Sequence, residues 1–265
     1  VTPINESELD EIVEKLKSEN VESVAVCFMN SYLNDTHEKK VTEYLQNQLT
    51  NVYITASYEV LPSIRFYERV STTVVNAYIG VVVDKYIASL LGKLDTLNFK
   101  GGFSIMQSNG GVVSPEVVRK IPAVTVLSGP AAAPIAGTFY AELLGFDNCI
   151  TMDMGGTSFD ASMVVDGQCV TSTDGDINRY RIALPSLDII TIGAGGGSMG
   201  WVDSGGLLQM GPQSAGSLPG PVCYGQDGEV PACTDADLVL GYLDPNYFAG
   251  GKYKLNKKKA EEVVE

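Results

Sequence analysis

The sequence predicts an α/β protein, and three observations carry that expectation. Residues 22–55 read as an apolar strand, an amphipathic helix and a second apolar strand, the spacing of a parallel unit with the helix lying on the sheet. Ile150–Val165, ITMDMGGTSFDASMVV, places two alternating runs on either side of a Gly155-Gly156 turn and reads as an antiparallel hairpin. With 265 residues, 45% of them hydrophobic, the chain can build the core of one large or two ordinary domains.

Taken in order, Asn5–Glu19 sets Leu9, Ile12, Val13 and Leu16 on one helical face, with acids early and lysines late, which suits the helix dipole. Glu22–Phe28 follows as a buried strand. Asn34 can cap a helix running to Leu49 with Val41, Tyr44, Leu45 and Leu49 inward, and Val52–Thr55 is the next strand. After Pro62, the charged residues Arg65, Glu68 and Arg69 open a long helix from about Ser71 to Leu94. Arg65 or Arg69 could hold an anion, although a solvated helix end is the plainer reading. Lys100-Gly-Gly marks a boundary, dividing residues 1–100 from residues 101–265.

Beyond it, Phe103–Gln107 is a strand, Asn109-Gly110-Gly111 a turn and Ser114-Pro115 a helix start. The small residues of Ser128–Gly137 imply a close neighbour, expected to be a helix, and Pro134 must sit near the start of its own helix. The hairpin is expected to gain a third strand from Gln168–Ser172, with further strands at Arg181–Leu184 and Leu187–Ile192. From Gly193 to Gly225 the chain becomes rich in Gly, Pro and Ser, with short strands at Gly200–Asp203 and Leu207–Met210, the character of a functional or interface loop. Thr234 can cap a helix to Leu243, and Lys252–Glu265 begins another.

Composition removes whole classes of function. A net charge of −14 argues against nucleic acid and against an anionic membrane surface, both of which need clustered cations. The apolar stretch Val74–Leu91 is interrupted by Asn76, Asp84 and Lys85, so no bilayer span is expected. Five cysteines without a CxxC pair read as reduced thiols, and with no signal peptide the expected location is cytoplasmic. The single histidine, His37, starts a helix and reads as solvent-exposed, so neither an HExxH zinc site nor a histidine-driven hydrolase is expected.

The chemistry concentrates at the hairpin. Gly155 and Gly156 allow close approach of the backbone to a ligand, so that consecutive N–H groups can face phosphate oxygens, and Thr157 and Ser158 add hydroxyls. Asp153 can hold Mg²⁺ through water or orient an attacking water, and Asp160 can do the same from the facing strand. An ordinary acidic turn has the same spacing. Gly193–Ser198, GAGGGS, has Ser198 where a dinucleotide-binding turn needs glycine, and a strand-like pattern follows it. Gly193, Gly195, Gly196, Gly197 and Ser198 therefore read as a close-approach loop at a substrate site or interface. Cys223 in GPVCYG is read as a packed thiol rather than a nucleophile, and Asp235 and Asp237 as helix starters.

The motifs QSNGGVVSPE, LSGPAAAPIAG, MDMGGTSFD, DIITIGAGGGSMGWVD, GPQSAGSLPGPVCYG and TDADLVLGYLDP occur in this order and resemble the hydantoinase A / 5-oxoprolinase family, including N-methylhydantoinase A-like chains. VESVAVCFMNSYLN and ERVSTTVVNAYIG resemble the end of that family's N-terminal region. The resemblance implies the actin / sugar-kinase / heat-shock-chaperone ATPase fold, two ribonuclease-H-like lobes around a nucleotide. In that fold Asp153–Asp160 corresponds to the second phosphate loop and Gly129–Gly137 to a helix crossing its counterpart at the hinge. It also implies ATP and Mg²⁺ as cofactors, a cyclic amide substrate of the hydantoin or 5-oxoproline type activated by phosphorylation of its oxygen, and a second hydantoinase-type subunit as partner. Relatives that carboxylate ketones give the alternative reaction, and a non-catalytic segment supporting a partner is a third reading. The family's first phosphate loop and its later adenosine-contacting segment are not found, which implies the central part of a larger subunit. Ile190 stands where many members carry histidine, which leaves the substrate class open.

Overall fold

In the computed structural model, which describes residues 3–177 and 179–265, the chain is mixed α/β and divides into two compact units. One comprises residues 1–135 and 169–188, the other residues 136–168 and 189–265.

The first unit is built on the predicted strand–helix–strand. Ser23–Val26 pairs in parallel with Tyr53–Ala56, and the helices Glu6–Ser18 and Thr36–Gln48 cover them. Leu9, Val13, Val26, Val41, Leu45, Leu49 and Ala56 form one buried cluster, so the apolar periodicity located this core, although Ile12 is exposed. Asn5 caps the first helix, accepting a hydrogen bond from the Ser7 N–H at 3.2 Å. Asn34 is one residue outside the cap position and accepts from the Thr36 N–H instead.

A buried carboxylate, which hydrophobic periodicity cannot locate, ties this unit together. Glu38 is fully buried beside His37 and accepts hydrogen bonds from the Phe28 N–H (2.5 Å), the Ser57 hydroxyl (2.7 Å) and the Tyr58 N–H (2.9 Å). It thereby joins the turn after the first strand to the turn after the second.

The long helix is Phe66–Thr96, and its buried face is polar. Arg69 is neither a solvated helix end nor an anion site. Its guanidinium is fully buried and donates to the carbonyls of Ser63, Phe28 and Met29, each at 2.6 Å, while Tyr32 and Phe66 present their rings to it. Arg65 stays exposed, 3.7 Å from Glu68. Asn76 donates to Thr55 and to the Lys120 carbonyl and accepts from the Ala123 N–H, and Thr72 accepts from the Ala183 N–H. Gly80 lies against the Tyr53 ring, where an added Cβ would meet a ring carbon at 2.2 Å. By length and composition this helix could cross a membrane, which the interruptions at Asn76, Asp84 and Lys85 did not suggest. Its place here is set by those polar contacts.

The second unit carries the hairpin. Cys149–Met154 and Phe159–Val165 pair antiparallel, with Met154 opposite Phe159 and Asp153 opposite Asp160. The short strand Gln168–Cys169 pairs with Phe159–Val165, as expected, while Thr171–Ser172 pairs with Ser186–Leu187 instead. Ile189–Ile192 also joins the sheet, and it sets Thr191 opposite Asp160 and Ile190 opposite Ala161. Ser198–Val202 pairs with Leu208–Ser214, and the helices Cys233–Val239 and Lys257–Val264 pack around Cys223, Leu238, Leu255 and Ala260. At Gly137 the close neighbour expected for the small-residue segment is a strand rather than a helix. Thr151 Cγ2 lies 2.2 Å from where a Cβ on Gly137 would stand, and Pro134 is the third residue of the helix Ala132–Leu143, near its start as required.

Because side chains alternate along a strand, the sheet has two distinct faces. Thr151, Asp153, Asp160, Ser162 and Thr191 share one, where the Thr151 and Ser162 hydroxyls meet at 2.6 Å. Ile150, Met152, Met154, Met163, Ile190 and Ile192 share the other and are exposed, Met152 by 72% and Ile190 by 67%.

Replacing Glu38 by Ala strands three buried donors, one of them a hydroxyl. Urea unfolding is expected to show a loss of about 3 kcal/mol, whereas Glu43→Ala, a nearby position on the same helix with no hydrogen bond to the strands, should change stability by less than about 0.5 kcal/mol.

Candidate functional site

The hairpin tip and the glycine-rich loop, two separate features of the sequence, form one structure. The Gly196 N–H donates to the Gly155 carbonyl at 3.0 Å and the Gly197 N–H to the Gly156 carbonyl at 2.8 Å. The approach is so close that a Cβ on Gly195 would stand 2.7 Å from the Gly156 carbonyl carbon and the Thr157 nitrogen, and one on Gly197 would stand 2.9 Å from the Gly156 oxygen. Glycine at both positions is therefore a steric requirement. The loop is held from behind. Ser198 is buried and its hydroxyl accepts from the Gly195 N–H at 2.8 Å, while the Thr234 N–H and hydroxyl both donate to the Gly196 carbonyl. Thr234 thus anchors the loop rather than capping its helix, and Gly193 stands in open space.

This seating uses the tip's carbonyls and leaves its donors available. The Gly155 N–H closes the turn onto the Ser158 carbonyl at 2.9 Å. Among the described residues, the N–H groups of Gly156 and Thr157 have no acceptor, and both residues are exposed. Two successive free amides at a rigid turn make an anion-binding concavity. The Thr157 side chain is exposed with them, and Ser158 is half-buried.

Two carboxylates flank the tip. Asp153 and Asp160 are direct cross-strand partners, so their side chains leave the same face about 5 Å apart at Cβ. Like charges facing each other in this way repel, and a divalent cation relieves the repulsion. The two differ in their surroundings. Asp160 is half-buried, with one oxygen taking the Thr191 hydroxyl and the other the Ser158 hydroxyl at 3.2 Å. Asp153 is exposed, and its carboxylate has no hydrogen-bond partner among the described residues. Those residues contain no group of three or more His, Cys, Asp or Glu able to hold a metal. A pair of carboxylates beside hydroxyls and free amides nevertheless fits Mg²⁺, which keeps several waters and binds through one or two carboxylates plus phosphate oxygens.

Cys223 is fully buried, and burial, with the hydrogen bond and charge of Asp235 beside it, pushes its thiol up to about 12. It cannot serve as a nucleophile at neutral pH. Asp235 does more than start its helix. Its buried carboxylate accepts from the N–H groups of Cys223 (2.7 Å), Ala232 (2.8 Å) and Val222 (3.2 Å), closing the GPVCYG turn. Ile190 points away from the carboxylates, because its neighbour Thr191 faces Asp160. Among the described residues, none of the five cysteines forms a disulfide. Thr191 carries no signal of its own in the sequence, and Thr234 reads there only as a helix cap. Their roles depend on strand and loop register, which no local pattern encodes.

A hydantoinase/oxoprolinase family model matches residues 69–265, and the model of the family's N-terminal region matches residues 1–49. The chain belongs to the hydantoinase/oxoprolinase family. It is 41% identical over 263 residues to the caprolactamase subunit alpha of Pseudomonas jessenii, a match covering 99% of this chain and 38% of that one. It is 34% identical to the acetophenone carboxylase gamma subunit of Aromatoleum aromaticum, over all of this chain and 37% of that one. To 5-oxoprolinase 1 of Arabidopsis thaliana it is 36% identical, over 94% of this chain and 19% of that one. Among solved structures, the ATP-dependent caprolactamase of Pseudomonas jessenii superimposes with a TM-score of 0.82 at 40% identity, covering 99% of this chain and 38% of that one. Nucleotide-free acetone carboxylase does so with a TM-score of 0.79 at 27% identity, covering 100% and 38%. The chain therefore spans about two fifths or less of the length of these family members.

Gly195→Ala forces a methyl group into the backbone of the tip and is expected to cost about 2 kcal/mol in urea unfolding. Gly193→Ala, with nothing near it, should change stability by less than about 0.5 kcal/mol. A second expectation concerns Cys223: in the native protein at neutral pH it should resist iodoacetamide over a period in which the half-buried cysteines are alkylated, and mass spectrometry of the digested protein reads this directly.

Proposed function

We propose that this chain is the phosphate-holding central part of an ATP-dependent enzyme that opens cyclic amides. The observation that carries the reading is the pairing of Asp153 with Asp160 beside the free amides of Gly156 and Thr157, in a chain whose family includes an ATP-dependent caprolactamase and 5-oxoprolinases. The fold proposed for the complete subunit is that of the actin / sugar-kinase / heat-shock-chaperone ATPases, with the hairpin as one of two phosphate loops. A second hydantoinase-type subunit is the proposed partner, in keeping with relatives that are themselves named as subunits.

When bound, Mg·ATP supplies a phosphoryl group that makes a poorly electrophilic amide carbon open to attack. The chain's own residues hold and orient. The N–H groups of Gly156 and Thr157 would hold phosphate oxygens, with the hydroxyls of Thr157 and Ser158 alongside. Asp160, fastened by Thr191 and Ser158, and Asp153, whose carboxylate has no partner among the described residues, would hold the cation. Preorganised donors of this kind need no rearrangement when charge shifts along the phosphates.

Carboxylation of a ketone is the second reading, favoured by the likeness to acetophenone carboxylase over the whole chain. Ile190, where many hydantoinase-type members carry histidine, mildly favours this second reading; it lies on the sheet face opposite the carboxylates. The deciding experiment measures ADP release by the full-length subunit with its partner. Hydantoins, 5-oxoproline and lactams are compared with ketones plus bicarbonate. Release with a cyclic amide supports the first reading, and release only with ketone and bicarbonate replaces it by the second.

In the full-length subunit Asp153→Ala is expected to lower ATP turnover by at least about 100-fold while circular dichroism stays unchanged. Full turnover would remove the hairpin from the mechanism. The 265-residue chain alone should bind Mg·ATP weakly, since one phosphate loop makes only part of the contacts; micromolar binding by calorimetry would contradict this.

A further inference from the structure

The two facing carboxylates have unequal environments. Asp160 is fastened at both oxygens, by Thr191 from the neighbouring strand and by Ser158 from the tip, whereas the Asp153 carboxylate has no hydrogen-bond partner among the described residues. We infer that Thr191 is a positioning residue, which fixes Asp160 as the rigid cation-holding carboxylate and leaves Asp153 as the adaptable one. The inference rests on reading the tip as a Mg·nucleotide site and extends that reading to a residue outside the hairpin.

The geometry makes Thr191 suited to this task. It lies directly opposite Asp160 in register, on the same sheet face, so its hydroxyl reaches the carboxylate without bending either strand. Threonine is stiff at χ1, so a hydroxyl on a β-branched residue in a strand holds its direction well. A carboxylate that accepts a fixed hydroxyl keeps its remaining lone pairs aimed one way, and partners of this kind orient metal ligands. Thr191 also ends two residues before Gly193, so the strand that fixes Asp160 leads directly into the loop that seats the tip. One continuous segment, residues 191–197, therefore positions both halves of the site.

The same sheet face supplies a control. Thr151 and Ser162 form a hydroxyl pair at 2.6 Å further along the strands and, among the described residues, hydrogen-bond to neither carboxylate. A role limited to stabilising the sheet would be shared by Thr151 and Thr191, and a role in orienting the cation would belong to Thr191 alone.

The test uses the full-length subunit, with Mn²⁺ in place of Mg²⁺ and a non-hydrolysable ATP analogue, and reads bound Mn²⁺ by electron paramagnetic resonance. Thr191→Val should weaken Mn²⁺ binding about 10-fold or more. Thr191→Ser, which restores the hydroxyl, should remain within about twofold of the parent, and Thr151→Val should leave Mn²⁺ binding unchanged. If Thr191→Val fails to fold, Thr191→Ala removes the same hydroxyl and carries the same expectation. Unchanged binding in the folded Thr191 variant, with binding lost in Asp160→Asn, would overturn this inference and leave the proposed function standing. Parent-like binding in Asp160→Asn would overturn the cation site itself, and the role of Thr191 with it.

Discussion

The seating of one backbone on another governs the second unit. Gly196 and Gly197 donate to the carbonyls of Gly155 and Gly156, and this contact requires the nearest residues of the loop to lack side chains. A two-residue glycine turn left to itself is a floppy element, since glycine gives up more conformational freedom on folding than any other residue. The loop removes that freedom by engaging both carbonyls, and Ser198 and Thr234 hold the loop in turn. Donors therefore face outward from a turn that is rigid before any ligand arrives. The exposed carboxylate and the free amides would have little meaning on a mobile tip.

A comparable device holds the first unit. Glu38 and Arg69 are buried charges held mainly by backbone groups: two N–H donors and the Ser57 hydroxyl for the carboxylate, three carbonyls for the terminal nitrogens of the guanidinium. Both reach the segment around Phe28 and Met29, where the chain leaves its first strand. Burying an unsatisfied charge is expensive, so the pattern of bonds around these two side chains specifies the turn closely. The polar face of the helix Phe66–Thr96 acts in the same way through Thr72 and Asn76. Its composition reads as apolar, but most of its buried residues are polar.

Much of this was legible in the sequence because it depends on local pattern. The parallel strand–helix–strand followed from the apolar runs Glu22–Phe28 and Val52–Thr55 on either side of a helix with Val41 and Leu45 inward, and the hairpin from alternation around Gly155-Gly156. The glycines of residues 193–197 were recognisable as a close-approach loop, although what they approach was not. What local pattern could not supply was register. The pairing of Ile189–Ile192 with the hairpin places Thr191 on Asp160 and turns Ile190 to the opposite face, and a shift of one residue would exchange them. Buried polar residues were misread for a related reason. Arg69 looks like a solvated helix end, and Asp235 like a simple helix starter, until their long-range partners are in place.

The central claim is that the tip holds phosphate between its outward amides and the facing carboxylates. The most direct measurement is a crystal structure of the full-length subunit with Mg²⁺ and a non-hydrolysable ATP analogue. The account predicts phosphate oxygens within hydrogen-bond distance of the Gly156 and Thr157 N–H groups, with the cation beside Asp153 and Asp160. Phosphates bound elsewhere, with the tip and both carboxylates facing only solvent, would contradict it.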